Sequence, residues 1–171
     1  DFYLQNGDCT QNDPSFCAAG GCDLTCSMTA TLQATLQPNY TWPDIDYHDT
    51  TRAYWKTSAH MDRVTTMTRS FQCAGCSQHA SPALRQAIFG AITFWLQQDF
   101  QNPNWWWNCF GIPQFMEVSL IMMQPGFLPA TELQKALQIM ARANGSYTGE
   151  NLIWSLEAMI GHAIIGNNTA Q

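Results

Sequence analysis

The chain has 171 residues, enough for one domain with its own core, and is 46% hydrophobic but only 12% charged. Its formal net charge is −6 and its pI about 4.9, and no basic run is present to neutralise phosphates, which argues against nucleic acid as a partner. No apolar run approaches the roughly 20 residues of a membrane span, so no membrane partner is expected.

In chain order, Cys9, Cys17, Cys22 and Cys26 crowd into the first 26 residues among Gly, Asn, Asp and Pro. Their spacings fit no common zinc finger and no histidine falls among them, so two local disulfides are expected, with the pairing open. Residues 1–29 read as a cysteine-rich leader and 30–171 as a helical domain. A mild helical pattern already runs over 23–37, with Leu24, Met28, Leu32 and Leu36 at four-residue steps, and Pro38 ends it. Residues 39–50 form a polar, aromatic connector containing Asp44, Asp46 and Asp49. An EF-hand loop needs a central Gly and a closing Glu, both missing here, so the aspartates read as hydrogen-bonding loop residues.

Residues 51–71 suggest a helix with Tyr54, Ala59, Met61, Val64 and Met67 as its inner stripe. Arg52, Lys56, Arg63 and Arg69 on it are four of the seven basic residues. Cys73 and Cys76 then form a CxxC. No strand precedes it, so a small loop disulfide is expected rather than a redox pair. Ser81-Pro82 is a helix start, a serine cap followed by proline at the first position, with Leu84, Ile88, Ile92, Trp95 and Leu96 facing inward up to Phe100. Pro113 should open the next helix, through Phe115, Val118, Leu120 and Met122 to Met123, before Pro125-Gly126 breaks it. Another runs from Pro129, with Leu133, Ala136, Leu137, Met140 and Ala141 on one face, to a cap at Asn144-Gly145. The last runs from Thr148 to Ile165, with Leu152, Leu156, Met159, Ile160 and Ala163 aligned. Strand alternation is absent, so the fold class is all-α: five or six helices with short connections, hence antiparallel hairpins.

The stretch 102–114, NPNWWWNCFGIPQ, is organised differently. Adjacent side chains on a helix or strand point in different directions, so Trp105, Trp106 and Trp107 cannot all face one core. An indole is a broad apolar plate with one N–H donor, and beside the Asn104 amide it suits the flat face of a sugar ring. The alternative is a helix end with one tryptophan in the core and two at an interface. Cys109, in the same stretch, is the odd cysteine: a buried thiol or a link to another chain. Sequons at Asn39, Asn144 and Asn167, taken with the clustered cysteines, favour a secreted, glycosylated, oxidised protein, with Asp1 as an N-terminus left after signal-peptide removal.

Three segments resemble polysaccharide lyase family 8, the hyaluronate, chondroitin and xanthan lyases. Trp42-Pro43-Asp44-Ile45-Asp46-Tyr47, with Arg52, Trp55, His60 and Arg63, looks like its W-x-D-I-D-Y motif. Asn104-Trp105-Trp106 through Gly111-Ile112-Pro113 looks like its N-W-W…I-G-x-P motif. Thr148-Gly149-Glu150-Asn151 looks like its T-G-x-N motif. The resemblance covers about residues 30–168 and implies part of an incomplete α/α toroid of helical hairpins. It implies a uronic-acid polymer as substrate and β-elimination as the chemistry, with no metal or organic cofactor. Trp105 and Trp106 would then be the sugar-stacking patch, with Asn104 beside them. Asn151 would bind the uronate carboxylate, acidifying the C5 proton. If Thr148 caps the last helix, Asn151 falls in its first turn, where free backbone N–H groups favour an anion without net positive charge.

The family's catalytic histidine and tyrosine lie some tens of residues beyond this asparagine, whereas the sequence ends 20 residues after it. None of His48, His60, His79 and His162 falls in the family's histidine motif. Two functional readings follow. One is a fragment or subunit of a secreted lyase whose acid/base pair is supplied by a second chain. The other is a non-catalytic carbohydrate-binding or structural protein that covers its open helix faces with identical copies of itself.

Overall fold

A computed structural model describes residues 22–123 and 125–167. Six α-helices lie among them: α1 (Cys22–Thr35), α2 (Ala59–Gln72), α3 (Pro82–Gln98), α4 (Ile112–Met123), α5 (Ala130–Met140) and α6 (Glu150–Asn167). No strand occurs among the described residues, so the all-α fold class stands. Helix α2 sits centrally, against α1, α3 and α4. Helix α4 in turn carries α5 and α6, which pack on each other. Helix α1 runs across residues 29 and 30, the expected junction of leader and helical domain. No helix among the described residues is long and apolar enough to cross a membrane.

The segment before α2 is not the helix its pattern suggests. Asp49 gathers it instead. One carboxylate oxygen accepts from the Thr51 N–H at 3.1 Å and the Thr51 hydroxyl at 2.7 Å, and the other accepts from the Lys56 N–H at 2.7 Å. With those donors held, residues 51–55 stay irregular and Tyr54 is 87% exposed rather than inward. A single 3-10 turn, Lys56–Ser58, then leads into α2. The three aspartates are thus hydrogen-bonding and ion-pairing groups. Asp46 accepts from the His48 N–H, and Asp44 forms a two-toothed pair with Arg63 at 2.8 and 2.5 Å.

The Trp42–Tyr47 motif closes a knot over α2 and α3. Trp42 is 1% exposed and donates its indole N–H to the Leu32 carbonyl at 3.0 Å. His60 is fully buried, with Nε2 at 2.9 Å from the Ala91 carbonyl, which can only accept. The proton therefore sits on Nε2, and Nδ1 accepts from the Tyr47 hydroxyl at 3.0 Å. That hydroxyl in turn accepts the Trp42 N–H at 3.1 Å. Burial pushes the His60 pKa down to about 4, so the ring is neutral in the native state. The Arg63 guanidinium lies 5.4 Å from the centre of the Trp42 ring, closing the knot from outside. At Gly90 of α3 a Cβ would collide with the Tyr40 ring, so this helix accepts the connector only because it has a glycine there.

The cysteines pair differently from expectation. Cys26 of α1 bonds to Cys76, 50 residues away, which ties α1 to the loop after α2. Neither a leader-only pair for Cys26 nor a Cys73–Cys76 loop bridge exists. Cys73 is also disulfide-bonded. Cys9, Cys17 and the side chain of Cys22 lie outside what is described. The α1–α2 contact beside the bond is close and polar, with the Thr29 and Ser70 hydroxyls 2.6 Å apart and both side chains buried.

Helix α3 follows its sequence closely. The Ser81 hydroxyl accepts from the Leu84 N–H at 3.3 Å, Leu84, Ile88, Ile92, Trp95 and Leu96 are buried, and Asp99 ends the helix in the left-handed conformation. Arg142, beyond α5, grips that aspartate at 2.7 and 2.5 Å. The inner stripe of α4 is Ile112, Met116, Ser119, Leu120 and Met123, with Phe115, Val118 and Met122 only half-buried. That of α5 is Ala136, Leu137, Ile139 and Met140.

Helix α6 is turned relative to expectation. Its packed residues are Ser155, Ala158, Gly161 and Ile165, and the Ser155 hydroxyl donates to the Asn144 carbonyl at 2.6 Å. The larger residues assigned inward, Leu156, Met159 and Ile160, are 46%, 42% and 60% exposed. Small side chains let α6 approach α4 closely; its large apolar face points outward.

Candidate functional site

The tryptophans sit at the head of a continuous helix rather than before a turn. Helical structure begins at Trp105, passes through one widened π turn, Trp107–Gly111, and continues as α4. Pro113, expected to start this helix, lies inside it. Proline has no N–H and its ring would strike the carbonyl four residues back, here that of Cys109. The π turn relieves the conflict by adding one residue to the turn just before it, with the Ile112 N–H reaching the Trp107 carbonyl five residues back. Gly111 is required for a second reason: a Cβ there would press into the Trp106 and Trp107 rings.

Three asparagines hold this start in place. The Asn104 amide oxygen accepts from the Trp106 N–H at 3.2 Å, a helix-capping bond, while its nitrogen donates to the Arg52 carbonyl at 3.0 Å. Asn102 donates to the Thr51 carbonyl at 3.1 Å, and Asn108 closes back on the Asn102 main chain at 2.8 Å in both directions. Trp107 turns inward, packing on the Trp55 ring and donating its N–H to the Arg52 carbonyl at 3.2 Å.

The other two indoles build a surface. Trp105 is 46% exposed and lies parallel to the Tyr147 ring, 5° between planes and 5.5 Å between centres. Trp106 is half-buried and meets the Trp154 ring of α6 edge-on at 5.5 Å. Phe110 is fully buried beneath Tyr147 and Trp154, with centres 4.9 and 6.1 Å away, and joins the two halves. The sequence reading missed Phe110, Tyr147 and Trp154. The available signal was position: Tyr147 stands one residue before, and Trp154 three residues after, the segment Thr148–Asn151.

Asn151 is the second residue of α6 and partly exposed. The residue directly before the helix is Gly149, in the left-handed region at φ 61°, so Thr148 is not the cap. The first-turn placement of Asn151 survives that change. Residues three apart on a helix share a face, so Asn151 stands one turn from Trp154 on the side that meets Trp106. The site is a set of aromatic rings with an amide and a helix N-terminus at one end. Cys109, half-buried and free, shares a hydrogen bond with the Tyr147 hydroxyl, which holds that phenol above the usual tyrosine range. Tyr147 is therefore protonated at neutral pH.

The histidines fall elsewhere. His60 is locked in the knot, His48 is exposed on the connector, and His79 lies against the Phe71 carbonyl. His162 is 11 residues past Asn151 on α6, about 16 Å along the axis. The sequons at Asn39, Asn144 and Asn167 are all exposed; Asn39 and Asn144 fold their amide oxygens back to Thr41 and Ser146. The sulfurs of Cys26, Cys73 and Cys76 cluster together, but all three are disulfide-bonded.

Residues 23–168 match the family model of the polysaccharide lyase family 8 N-terminal alpha-helical domain. Over 98 residues, 57% of the chain, it is 28% identical to chondroitinase-AC of Pedobacter heparinus, covering 14% of that protein. The fold is similar to that of a chondroitinase AC lyase solved with oligosaccharides, with TM-score 0.77 and 23% identity over 84% of this chain and 22% of that one. It is also similar to a Paenibacillus xanthan lyase, with TM-score 0.71 and 17% identity over 85% of this chain and 15% of that one. The chain spans less than a quarter of the length of each of these relatives.

Proposed function

The chain belongs to polysaccharide lyase family 8 through the N-terminal α-helical domain, and from that premise we propose that it forms one wall of a cleft for an acidic, uronic-acid-containing polysaccharide cleaved by β-elimination. The observation that carries this reading is the Trp105–Tyr147 and Trp106–Trp154 platform with Asn151 at its edge. Trp105 and Trp106 stack on sugar rings. Asn104, whose amide is occupied by the main chain, fixes their position. Asn151 donates to the uronate carboxylate, with the first turn of α6 behind it. A neutral amide and a helix end hold an anion without any cation, which suits a chain of net charge −6. Withdrawing charge from the carboxylate acidifies the C5 proton, so that a base can remove it while the 4-linked oxygen leaves with a proton.

No histidine is placed beside Asn151 among the described residues, and Tyr147 is bonded to Cys109. The acid/base pair therefore comes from polypeptide beyond these residues, and the 171-residue chain alone binds but does not cleave. The protein is secreted and carries glycans on its sequons. A second reading is a non-catalytic binding or structural protein whose exposed apolar face of α6 is covered by another chain.

The test measures binding of hyaluronan, chondroitin and xanthan to the full chain by calorimetry, alongside ultraviolet absorbance of unsaturated uronate. Trp105→Ala should weaken binding by about 1–3 kcal/mol with little loss of fold, since that ring is largely outside. Asn151→Asp should weaken it further by adding a like charge. Unchanged binding in both variants would return the tryptophans to a structural role. Unsaturated product from the chain alone would show that its acid and base are already present.

A further inference from the structure

The outward face of α6 has a feature that a merely unfinished helix stack does not require. Ile153, Leu156, Ile160 and Ile164 recur at three- and four-residue steps along it, each between 46% and 65% exposed. Beside this stripe opens a shallow groove of about 330 Å³, whose polar lining is two carboxylates, Glu157 of α6 and Glu117 of α4. Glu117 lies over Gly161, where α6 has no side chain; a Cβ there would overlap its carboxyl group. Burial, with the charge of Glu157 adding to it, raises the Glu117 pKa to about 7. The Gln114 amide, 3.4 Å from Glu157, is a weak neutral donor to the pair. Neither α4 nor α6 contains a lysine or arginine. His162, five residues past Glu157, lies about 140° round the helix from it.

Apolar residues flanking a partly desolvated pair of like charges define what fits. We propose that this face docks one amphipathic helix carrying an arginine or lysine that enters the groove between Glu117 and Glu157. An added cation relieves the repulsion between the carboxylates, and the apolar stripe covers the rest of the helix. A second copy of the same face does not fit: α6 against α6 would bring four carboxylates together and no cation. The proposal concerns the exposed stripe of α6 and the groove along its edge with α4, where Glu117 lies over Gly161, and stands apart from polysaccharide binding at Trp105.

The experiment uses the full 171-residue chain and two five-turn stapled helical peptides, each with a leucine stripe and differing at one central position, Arg or Gln. Binding is read by fluorescence anisotropy, and the oligomeric state by sedimentation equilibrium. The Arg peptide is expected to bind at least roughly tenfold more tightly than the Gln peptide, as a charge-assisted contact would give. The preference should vanish in Glu117→Gln/Glu157→Gln, and Ile160→Asp should abolish binding of both peptides. Equal binding of the two peptides, no binding of either, or an Arg preference that survives the double substitution would overturn the proposal. So would a wild-type dimer that Ile160→Asp converts to monomer, since the occupant would then be a second copy. Ile160 is 60% exposed, so its variant should fold, and its polysaccharide binding, measured in parallel, separates failure here from failure of the platform.

Discussion

The knot around Trp42 and the platform around Trp105 draw on the same stock of rings and amides and use it in opposite ways. In the knot, the indole N–H of Trp42, the Tyr47 hydroxyl and both His60 nitrogens are bonded within the chain. In the platform, amides of Asn102, Asn104 and Asn108 bond to the main chain so that the indoles of Trp105 and Trp106 need not, leaving Trp105 with one broad side on solvent. Two of the segments that mark the family therefore do different work. The first makes the helices stack, and the second presents a surface.

The sharpest way to break that comparison is to truncate a ring on each side. Trp42→Ala should cost about 3–5 kcal/mol in denaturant unfolding, as for other fully buried large aromatics. Trp105→Ala should cost under about 1 kcal/mol while carrying the binding loss described above. Equal costs would mean that the platform is core. Acid provides the next largest effect. His60 has a folded pKa of about 4 against 6.5 unfolded, so the unfolded chain binds the extra proton between those values. Stability should fall as pH drops from 6.5 towards 4, by about 3 kcal/mol for this group, read from chemical denaturation at stepped pH. Glu117 opposes it. Its folded pKa of about 7 lies above the ordinary 4.5, so the folded chain binds a proton first and gains stability as pH falls through that interval. The carboxylate is partly solvated, which limits the term to under about 1 kcal/mol. In Glu117→Gln the acid loss should steepen between pH 7 and 4.5, and the variant should be slightly more stable than wild type at pH 8.

Features set by neighbours in sequence were legible in it. Ser81-Pro82 opens α3 because the cap and the fixed proline φ act within one turn, and the inner residues of α3 followed from period alone. Features set across the chain were not. The Cys26–Cys76 bond spans 50 residues, whereas crowding in the leader pointed to local pairs. The start of α2 moved because a single carboxylate, Asp49, captured donors up to seven residues away. On α6, size is not the mark of burial. Here close approach to α4 selects Ser155, Ala158 and Gly161, and the large residues remain outside. At the site, Trp105, Trp106 and Trp107 were distinguishable as a group that one core could not absorb. Tyr147 and Trp154 were not, because only the packing of α6 beside the π turn brings them to the indoles.

The widened turn at Trp107–Gly111 also fixes an angle. Each residue of an α-helix advances about 100° around the axis, so one additional residue in a turn offsets everything before it relative to everything after. Trp105 and Trp106 precede the turn, and the stripe of Ile112, Met116 and Leu120 that anchors α4 follows it. One residue fewer before Pro113 would swing the two indoles by about 100° against an unchanged core. The direction in which the platform faces is thus stored in the count of residues between Trp106 and Pro113, independently of the rings themselves.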